Sequence, residues 1–194
     1  MRPSRDIGRR RRPRQERQRL LVVTEGEVTE PQYVQGLLQH FRRSGVTVRS
    51  ALTKGVGRDP VRVLQHAERV AREDPEGFDS VWLLVDVDDH AHLDECLRGA
   101  AREGYMTVVS NPCFEIWLLW HFQDLDSQQS RTWLRHRLQF HGQDGKALKA
   151  NFPYRDYASA TDRASDARRR VAPGQKGGDP STAMPHLVRS ICDR

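Results

Sequence analysis

Long apolar runs and cysteines are both scarce in this sequence. No apolar run approaches the roughly 20 residues that span a bilayer, and the mean hydropathy is −0.76. The basic N-terminus has no apolar segment behind it, so we expect no secretory signal. Three cysteines, Cys96, Cys113 and Cys192, are far apart and lack C-x-x-C spacing, which argues against a disulfide framework or a thiolate zinc site. We expect a cytoplasmic protein with reduced thiols.

The net positive charge of the chain lies in its first 19 residues, and the rest of the chain is nearly neutral. Residues 1–19 hold nine Arg against Asp6 and Glu16 and carry a net charge of +7, so the other 175 residues carry −1 of the total of +6. We expect residues 1–19 to form a flexible, Arg-rich arm. Such an arm either gathers phosphate backbone at long range without reading its sequence, or serves only as a solubilising tail.

Apolar and amphipathic segments alternate regularly from Leu20 onwards. Four short apolar runs, typical of buried strands, are each followed by a segment with helical spacing: LLVVT (20–24), VTVRSALT (46–53), VWLLVDVD (81–88) and YMTVVS (105–110). This alternation with short connections predicts an α/β fold, with a central parallel sheet of about four strands flanked by helices.

Local signals mark where two of the helices begin. Thr29 and Gln32 fit a capping box before the first helix, and Asp59 followed by Pro60 fits the start of the second.

The alternation stops after about residue 124. Four later segments are interpreted as helical, with no further strand among them: RTWLRHRLQF, the region around ALKANF, DYASATDRASDARRRV and STAMPHLVRSI. The predicted domain organisation is therefore an arm (1–19), an α/β core (20–123) and a helical C-terminal region packed on that core (124–194).

Acidic residues cluster where two predicted strands end. VWLLV runs directly into Asp86, Asp88 and Asp89, and LLVVT runs out into Glu25 and Glu27. Ligands bind outside the carboxyl ends of parallel strands, and Asp86 and Asp88 share one face of an extended chain. If the first and third strands are neighbours, Glu25 joins them, and the three carboxylates repel one another. A divalent cation, Mg²⁺ or Mn²⁺, would remove that conflict because it prefers oxygen ligands.

The alternative explanation is structural: the acidic residues simply end the strand, and Asp89 caps the next helix. A similar choice applies to Glu115, in the first turn of an otherwise very apolar helix, where the helix dipole alone favours a carboxylate. The functional interpretation places Glu115 and Asn111, both after the fourth strand, beside the metal site. The aromatic and leucine residues of this helix are predicted to be core.

Two features are weaker signals. Gly57 and Arg58 precede a helix and, with Lys54, could contact phosphate, although the loop is not a P-loop. His90 could assist proton transfer or bind metal, but a loop histidine is more often simply exposed to solvent.

Four stretches in this order, EGEVTEPQY, VDVDDH, SNPCFEIWLLWHF and DPSTAMPHLVRSI, resemble the RloB-like family over about residues 20–192. RloB-like proteins are similar to Toprim domains, the metal-binding fold of topoisomerases and primases. The Toprim signature is a Glu after the first strand and a D-x-D after the third, which Glu25, Asp86 and Asp88 match. Positions that match the family and are expected near the site are Glu27, Glu30, Asn111 and Glu115.

The resemblance also implies a biological setting. RloB-like proteins are encoded in restriction-modification and phage-defence loci, often beside an ABC-type ATPase. The implied activity is a Mg²⁺-dependent nuclease that acts on DNA or RNA and is regulated by that ATPase. The metal ligands would be Glu25, Asp86 and Asp88, and Glu25 or a neighbouring carboxylate would act as the base.

A second hypothesis is a non-catalytic metal- or nucleotide-binding regulatory subunit of a defence ATPase complex. It is favoured by the near-neutral body, which shows no obvious basic groove for nucleic acid. A third is nucleotidyl transfer, as in primases, although no motif for nucleotide binding is present and fold alone does not decide the chemistry. Self-association into a homo-oligomer stays open.

Overall fold

The computed structural model describes residues 17–41, 46–52, 59–87, 92–143 and 147–192. Its central sheet has five strands in the order β2-β1-β3-β4-β5. Their bounds are β1 (Gln18–Thr24), β2 (Val46–Leu52), β3 (Ser80–Asp86), β4 (Met106–Asn111) and β5 (Ser181–Thr182). The first four strands are parallel, as predicted, and β5 is antiparallel to β4. The expectation of no further strand was wrong, because a two-residue strand is too short to show a pattern in sequence.

Seven helices occur in the described part of the chain. They are α1 (Thr29–His40), α2 (Pro60–Glu73), α3 (Leu93–Arg102), α4 (Glu115–Leu119), α5 (Arg131–Phe140), α6 (Tyr157–Ala164) and α7 (Met184–Cys192), with a 3-10 turn at Tyr154–Asp156. None of these helices is long and apolar enough to cross a membrane.

The C-terminal region is less helical than predicted. No helix forms over residues 147–153, around ALKANF, and α6 ends at Ala164 instead of continuing through the arginines that follow. Pro153 cannot donate a helical hydrogen bond and disfavours helical backbone at the residue before it. Phe152 is instead buried in the core as part of an irregular segment.

The two predicted helix starts had different outcomes. Asp59 caps α2 as expected, because its carboxylate accepts a hydrogen bond from the Val61 amide at 3.1 Å. The capping box at Thr29 was wrong: Val28 is the N-cap, and within the described residues no side chain forms a capping hydrogen bond at α1. The Gln32 amide oxygen instead accepts a hydrogen bond from the Leu148 backbone N–H at 2.7 Å, so a tertiary contact replaced the local one.

Each face of the sheet carries its own hydrophobic core. One cluster joins sheet residues to α2 and α3, and the other joins the opposite face to α1, α4, α5, α6 and α7. Trp117 and Trp120 of the SNPCFEIWLLWHF stretch are fully buried in the second cluster, which confirms the prediction that they are core. Leu134 and Leu187 belong to the same cluster, so the C-terminal region and the sheet share one core.

The start of β1 corrects the predicted arm boundary. Residues 1–16 lie outside the described residues, but Gln18 and Arg19 already belong to the sheet. The Arg19 guanidinium forms ion pairs with Asp74 and Glu76, each at 3.1 Å. Arg19 is therefore part of the folded body and not of a solvated tail.

The strand order creates a crevice between β1 and β3. The chain leaves β1 for β2 on one side of it and then returns to β3 on the other side. The helix after β1 packs on one face of the sheet, and the helix after β3 packs on the opposite face. In open α/β sheets, ligands bind in the crevice at the point where the strand order reverses in this way.

Candidate functional site

Glu25 and Asp86 meet at the crevice between β1 and β3. Glu25 directly follows β1, and its backbone N–H continues the ladder by donating to Leu84 O at 3.1 Å. Its Oε2 accepts a hydrogen bond from the Asp86 backbone N–H at 3.4 Å. Both residues are buried. The structure thus confirms that the first and third strands are neighbours and brings these two predicted residues together.

Both carboxylate oxygens of Asp86 accept hydrogen bonds within the protein. Oδ1 accepts from the Phe114 backbone N–H at 2.9 Å, just before α4. Oδ2 accepts from Arg131 Nη2 at 2.7 Å, and the Arg131 side chain is only 19% exposed. Asp86 is therefore held in one orientation by α4 and by the first residue of α5.

Glu30 in the first turn of α1 is the third carboxylate of the site. Its carboxyl group lies against Gly26, where an added Cβ would overlap it. Glycine at position 26 therefore leaves the space that lets the Glu30 carboxylate fold back toward Glu25.

Glu115 is the fourth carboxylate, at the first position of α4. Its Oε1 accepts a hydrogen bond from Arg135 Nε at 2.6 Å. Burial raises its pKa, but hydrogen bonds from the Cys113 thiol and from Arg135 outweigh burial and leave the pKa of Glu115 below its ordinary value. Glu115 is thus stabilised as an anion beside the other three carboxylates.

Burial and mutual repulsion raise the pKa values of the two inner carboxyl groups. For Glu30, burial, followed by the charges of Glu115 and Glu25, raises the pKa to about 7, although Arg131 opposes the shift. For Asp86, burial and then the Glu30 charge hold the pKa well above its ordinary value, again against Arg131. We call the cluster of these four carboxyl groups the acidic site: Glu25, Glu30, Asp86 and Glu115. Its two arginines do not fully offset the repulsion among the carboxylates, because the pKa values of Glu30 and Asp86 stay raised.

The donor set of the acidic site fits Mg²⁺ or Mn²⁺. Among the described residues, no three His, Cys, Asp or Glu side chains are grouped closely enough to hold a metal by themselves. Asp88, the third predicted ligand, lies outside the described residues. Magnesium commonly uses only one or two protein carboxylates, with water and phosphate oxygens completing its shell. Glu25 and Asp86 would be that pair of hard oxygen donors, with a cation taking the place of Arg131 at Asp86 Oδ2.

The remaining predicted residues divide into two groups. Glu27 is exposed, and the Asn111 amide donates to Gly177 O at 2.9 Å, where it fastens the loop before β5 to the end of β4. Asn111 therefore has a structural partner. The predictions for Asp88, Asp89, His90, Lys54, Gly57 and Arg58 fall outside the described residues.

Two arginines of the site were missed by sequence reasoning. Arg131 and Arg135 are four residues apart on α5, so they lie on the same side of that helix, and each binds one carboxylate of the acidic site. The signal was present in RTWLRHRLQF, which has three arginines and no acidic residue. No local pattern, however, showed that α5 would pack beside the end of β3.

The raised pKa of Glu30 predicts an unusual pH dependence of stability. A carboxyl group whose pKa is higher in the folded state than in the unfolded state destabilises the fold once it ionises. The ordinary pKa of a glutamate is 4.5 and the pKa of Glu30 in the folded protein is about 7, so the free energy of unfolding should fall as pH rises from about 4.5 to about 7. With partial exposure taken into account, we expect a loss on the order of 2 kcal/mol.

Urea unfolding in EDTA at pH values from 5 to 8, wild type beside Glu30→Gln, measures this effect. The substitution keeps the shape of the side chain and removes its ionisation, while Glu25, Asp86, Glu115 and Arg131 stay in place. The difference in stability between the two proteins should grow in favour of the variant as pH rises. A difference that does not change with pH would contradict the expected repulsion.

Comparisons with known proteins identify the family of this chain. The family model described as RloB-like protein matches residues 20–191, which is most of the chain. No curated protein and no solved structure gave a significant match. The matched range contains all of the sheet except the first two residues of β1, together with the acidic site and the region that supplies Arg131 and Arg135. The chain belongs to the RloB-like family.

Proposed function

We propose that this protein is a metal-dependent nuclease that hydrolyses phosphodiester bonds. The observation that carries the proposal is the meeting of Glu25 and Asp86 at the carboxyl ends of two adjacent parallel strands, on the crevice where ligands bind. With Asp88 two residues further on, these residues have the order of the Toprim signature. Mg²⁺ bound there would polarise a phosphate oxygen and promote ionisation of an attacking water.

The side chains of the acidic site have distinct tasks in this proposal. Glu25 and Asp86 hold the cation together with Asp88. Glu30 has a pKa of about 7 in the metal-free site; a bound cation would lower it, so Glu30 would be ionised and able to accept a proton near neutral pH. Arg131 and Arg135 pair with Asp86 and Glu115 in the metal-free site, and a phosphate group would share or take over these guanidinium donors, because guanidinium groups pair with phosphate as they do with carboxylate. They would place positive charge next to the bound phosphate.

The proposed setting is anti-phage defence, in which the nuclease is regulated by an ABC-type ATPase. This part of the proposal rests on family membership and on the resemblance to Toprim effectors. The substrate is DNA or RNA, and the Arg-rich residues 1–19 would increase its local concentration electrostatically.

A cleavage assay tests the proposal directly. Purified protein is incubated with plasmid, single-stranded DNA and total tRNA in Mg²⁺, Mn²⁺ or EDTA, with wild type beside Asp88→Ala. We expect cutting that requires the metal and is lost in the variant, which should stay folded because a repelling charge is removed along with a ligand. Cleavage that persists in excess EDTA, or undiminished cleavage by folded Asp88→Ala protein, would refute the nuclease proposal.

The second candidate function is a metal- or nucleotide-binding regulatory subunit without catalytic activity. It is favoured by one observation: Asp86 Oδ2 already has a short ion pair with Arg131 at 2.7 Å, so the site is neutralised in part by the protein itself. A protein that binds nucleotides or metal but cuts no substrate, alone or with the ATPase added, would support this function over the first.

A further inference from the structure

A cavity of about 240 Å³ lies beside the acidic site. Glu115 and Arg135 belong to its wall and are also the ion pair of the acidic site, so the two are continuous. Leu118, Leu138 and Leu148 form apolar parts of the wall. Pockets for drug-sized ligands are typically about 300–1,000 Å³, so the cavity suits a smaller group with both apolar and polar surface.

The wall of the cavity is held in place by hydrogen bonds from buried or helical residues. Gln32 of α1 accepts from the Leu148 N–H at 2.7 Å, and Gln143 accepts from the Lys149 N–H at 3.0 Å. Gln143 is itself buried. These contacts fix the segment from Ala147 to Lys149 against the helices, so the cavity is already formed without a ligand.

Polar side chains also belong to the wall of the cavity: Thr29, Glu115, Arg135, Gln139 and Gln143. The exposed side chain of Gln139 contributes an amide, which has a hydrogen-bond donor and an acceptor side by side. Arg135 is one turn before it on α5, and Arg131 is one turn before Arg135. From the cavity toward the start of α5, the apolar wall is therefore followed by the Gln139 amide and then by the two guanidinium groups that pair with carboxylates.

We propose that this cavity binds one nucleobase of the nucleic acid substrate, with the adjoining phosphate at Arg131 and Arg135. The proposal rests on the nuclease function proposed for the same site. Leucine side chains can cover the faces of a base, while the Gln139 amide can pair with the polar edge of that base. A base taken out of its stack is bound in a pocket of this chemical character.

Binding of single nucleotides to the full chain in EDTA tests the proposal without requiring cleavage. Calorimetric titrations compare the four ribonucleoside 5′-monophosphates with ribose 5-phosphate, which has the same sugar and phosphate but no base. We expect at least one nucleotide to bind about tenfold more tightly than ribose 5-phosphate, the low end of the range for a base stacked on an aromatic side chain, because the apolar part of the wall consists of leucines.

Two variants locate the binding in the cavity. Ala147 is exposed at the cavity wall, so Ala147→Trp should fill the cavity and reduce nucleotide affinity to that of ribose 5-phosphate. Ala150→Trp, at an exposed position outside the cavity wall, should bind nucleotides like wild type. Gln139→Ala, at an exposed position that does not support the core, should change the ranking of the four bases and leave ribose 5-phosphate binding unchanged.

Two outcomes would overturn the cavity proposal: nucleotides that bind no better than ribose 5-phosphate, or folded Ala147→Trp protein that binds nucleotides like wild type. The first outcome would point to a different occupant, such as a side chain of a partner protein. Failure of the nuclease proposal gives a different result. Nucleotide binding without metal-dependent cleavage would support the base-binding cavity and refute the nuclease activity. Cleavage without base binding would refute the cavity proposal alone.

Discussion

Glu25→Gln is expected to lower metal-dependent cleavage by at least about 100-fold, the scale on which single electrostatic groups contribute to catalysis, without making the protein less stable. The Gln amide oxygen can still accept the hydrogen bond from the Asp86 N–H. The substitution removes one negative charge from a site in which Glu25 raises the pKa values of Glu30 and Asp86. Stability should therefore stay equal or increase while activity is lost.

Glu27→Gln is the matched control. Glu27 is two residues further along the chain, has the same side chain, and is exposed, so its amide variant should cleave at nearly the wild-type rate. Plasmid nicking in Mg²⁺ measures the rates, and urea unfolding in EDTA measures the stabilities. A Glu25→Gln protein that is folded and cuts as fast as Glu27→Gln would remove Glu25 from the proposed metal ligands.

Arg131→Met is expected to destabilise the metal-free protein by about 3 kcal/mol, because removal of one partner leaves the other charge of a buried pair uncompensated. Asp86 is 7% exposed and would lose its only ion pair among the described residues, with Arg131 at 2.7 Å. The raised pKa of Asp86 limits the loss, since the carboxyl group can take up a proton instead. Methionine keeps the apolar stem of the arginine and so limits the cost in packing.

Divalent cation should partly rescue this variant. With Arg131 absent, Mg²⁺ no longer competes with a guanidinium group for Asp86 Oδ2, and a ligand that binds only the folded state raises stability by mass action. Thermal unfolding with and without Mg²⁺ should therefore show a larger increase in Tm for Arg131→Met than for wild type. The double variant Arg131→Met/Asp86→Asn should be more stable than Arg131→Met in EDTA and should lose the response to Mg²⁺.

Arg137→Met, on the same helix, is the control for the loss of an arginine. Arg137 binds the Gln123 side chain at 2.8 Å and lies over the Phe140 ring, away from the acidic site. Its variant should be destabilised much less than Arg131→Met, and its response to Mg²⁺ should equal that of wild type. Equal behaviour of the two arginine variants would show that Arg131 has no special relation to a metal at Asp86.

Local patterns in the sequence predicted much of the scaffold of the site. The parallel strands were predicted from apolar runs, since a strand buried on both faces needs side chains such as those of VWLLV. The Asp59 cap was predicted because its partner, Val61, is two residues away. The placement of Glu25 and Asp86 at a common edge followed from a general property of parallel sheets. In each case the controlling interaction is short in sequence or is common to the whole fold class.

Only the tertiary structure decided which arginine side chains pair with the acidic site and that a cavity lies beside it. Arg131 is 45 residues from Asp86, Arg135 is 20 residues from Glu115, and Gln32 is 116 residues from Leu148. These contacts depend on how α5 and the following segment pack against the shared core, which sums many weak apolar contacts that no short motif records. The predicted capping box at Thr29 did not form because Gln32 accepts a hydrogen bond from the distant Leu148 N–H instead. The sequence by itself determined an α/β chain with acidic residues at its strand ends, whereas packing over long separations determined the arginine partners and the adjoining cavity.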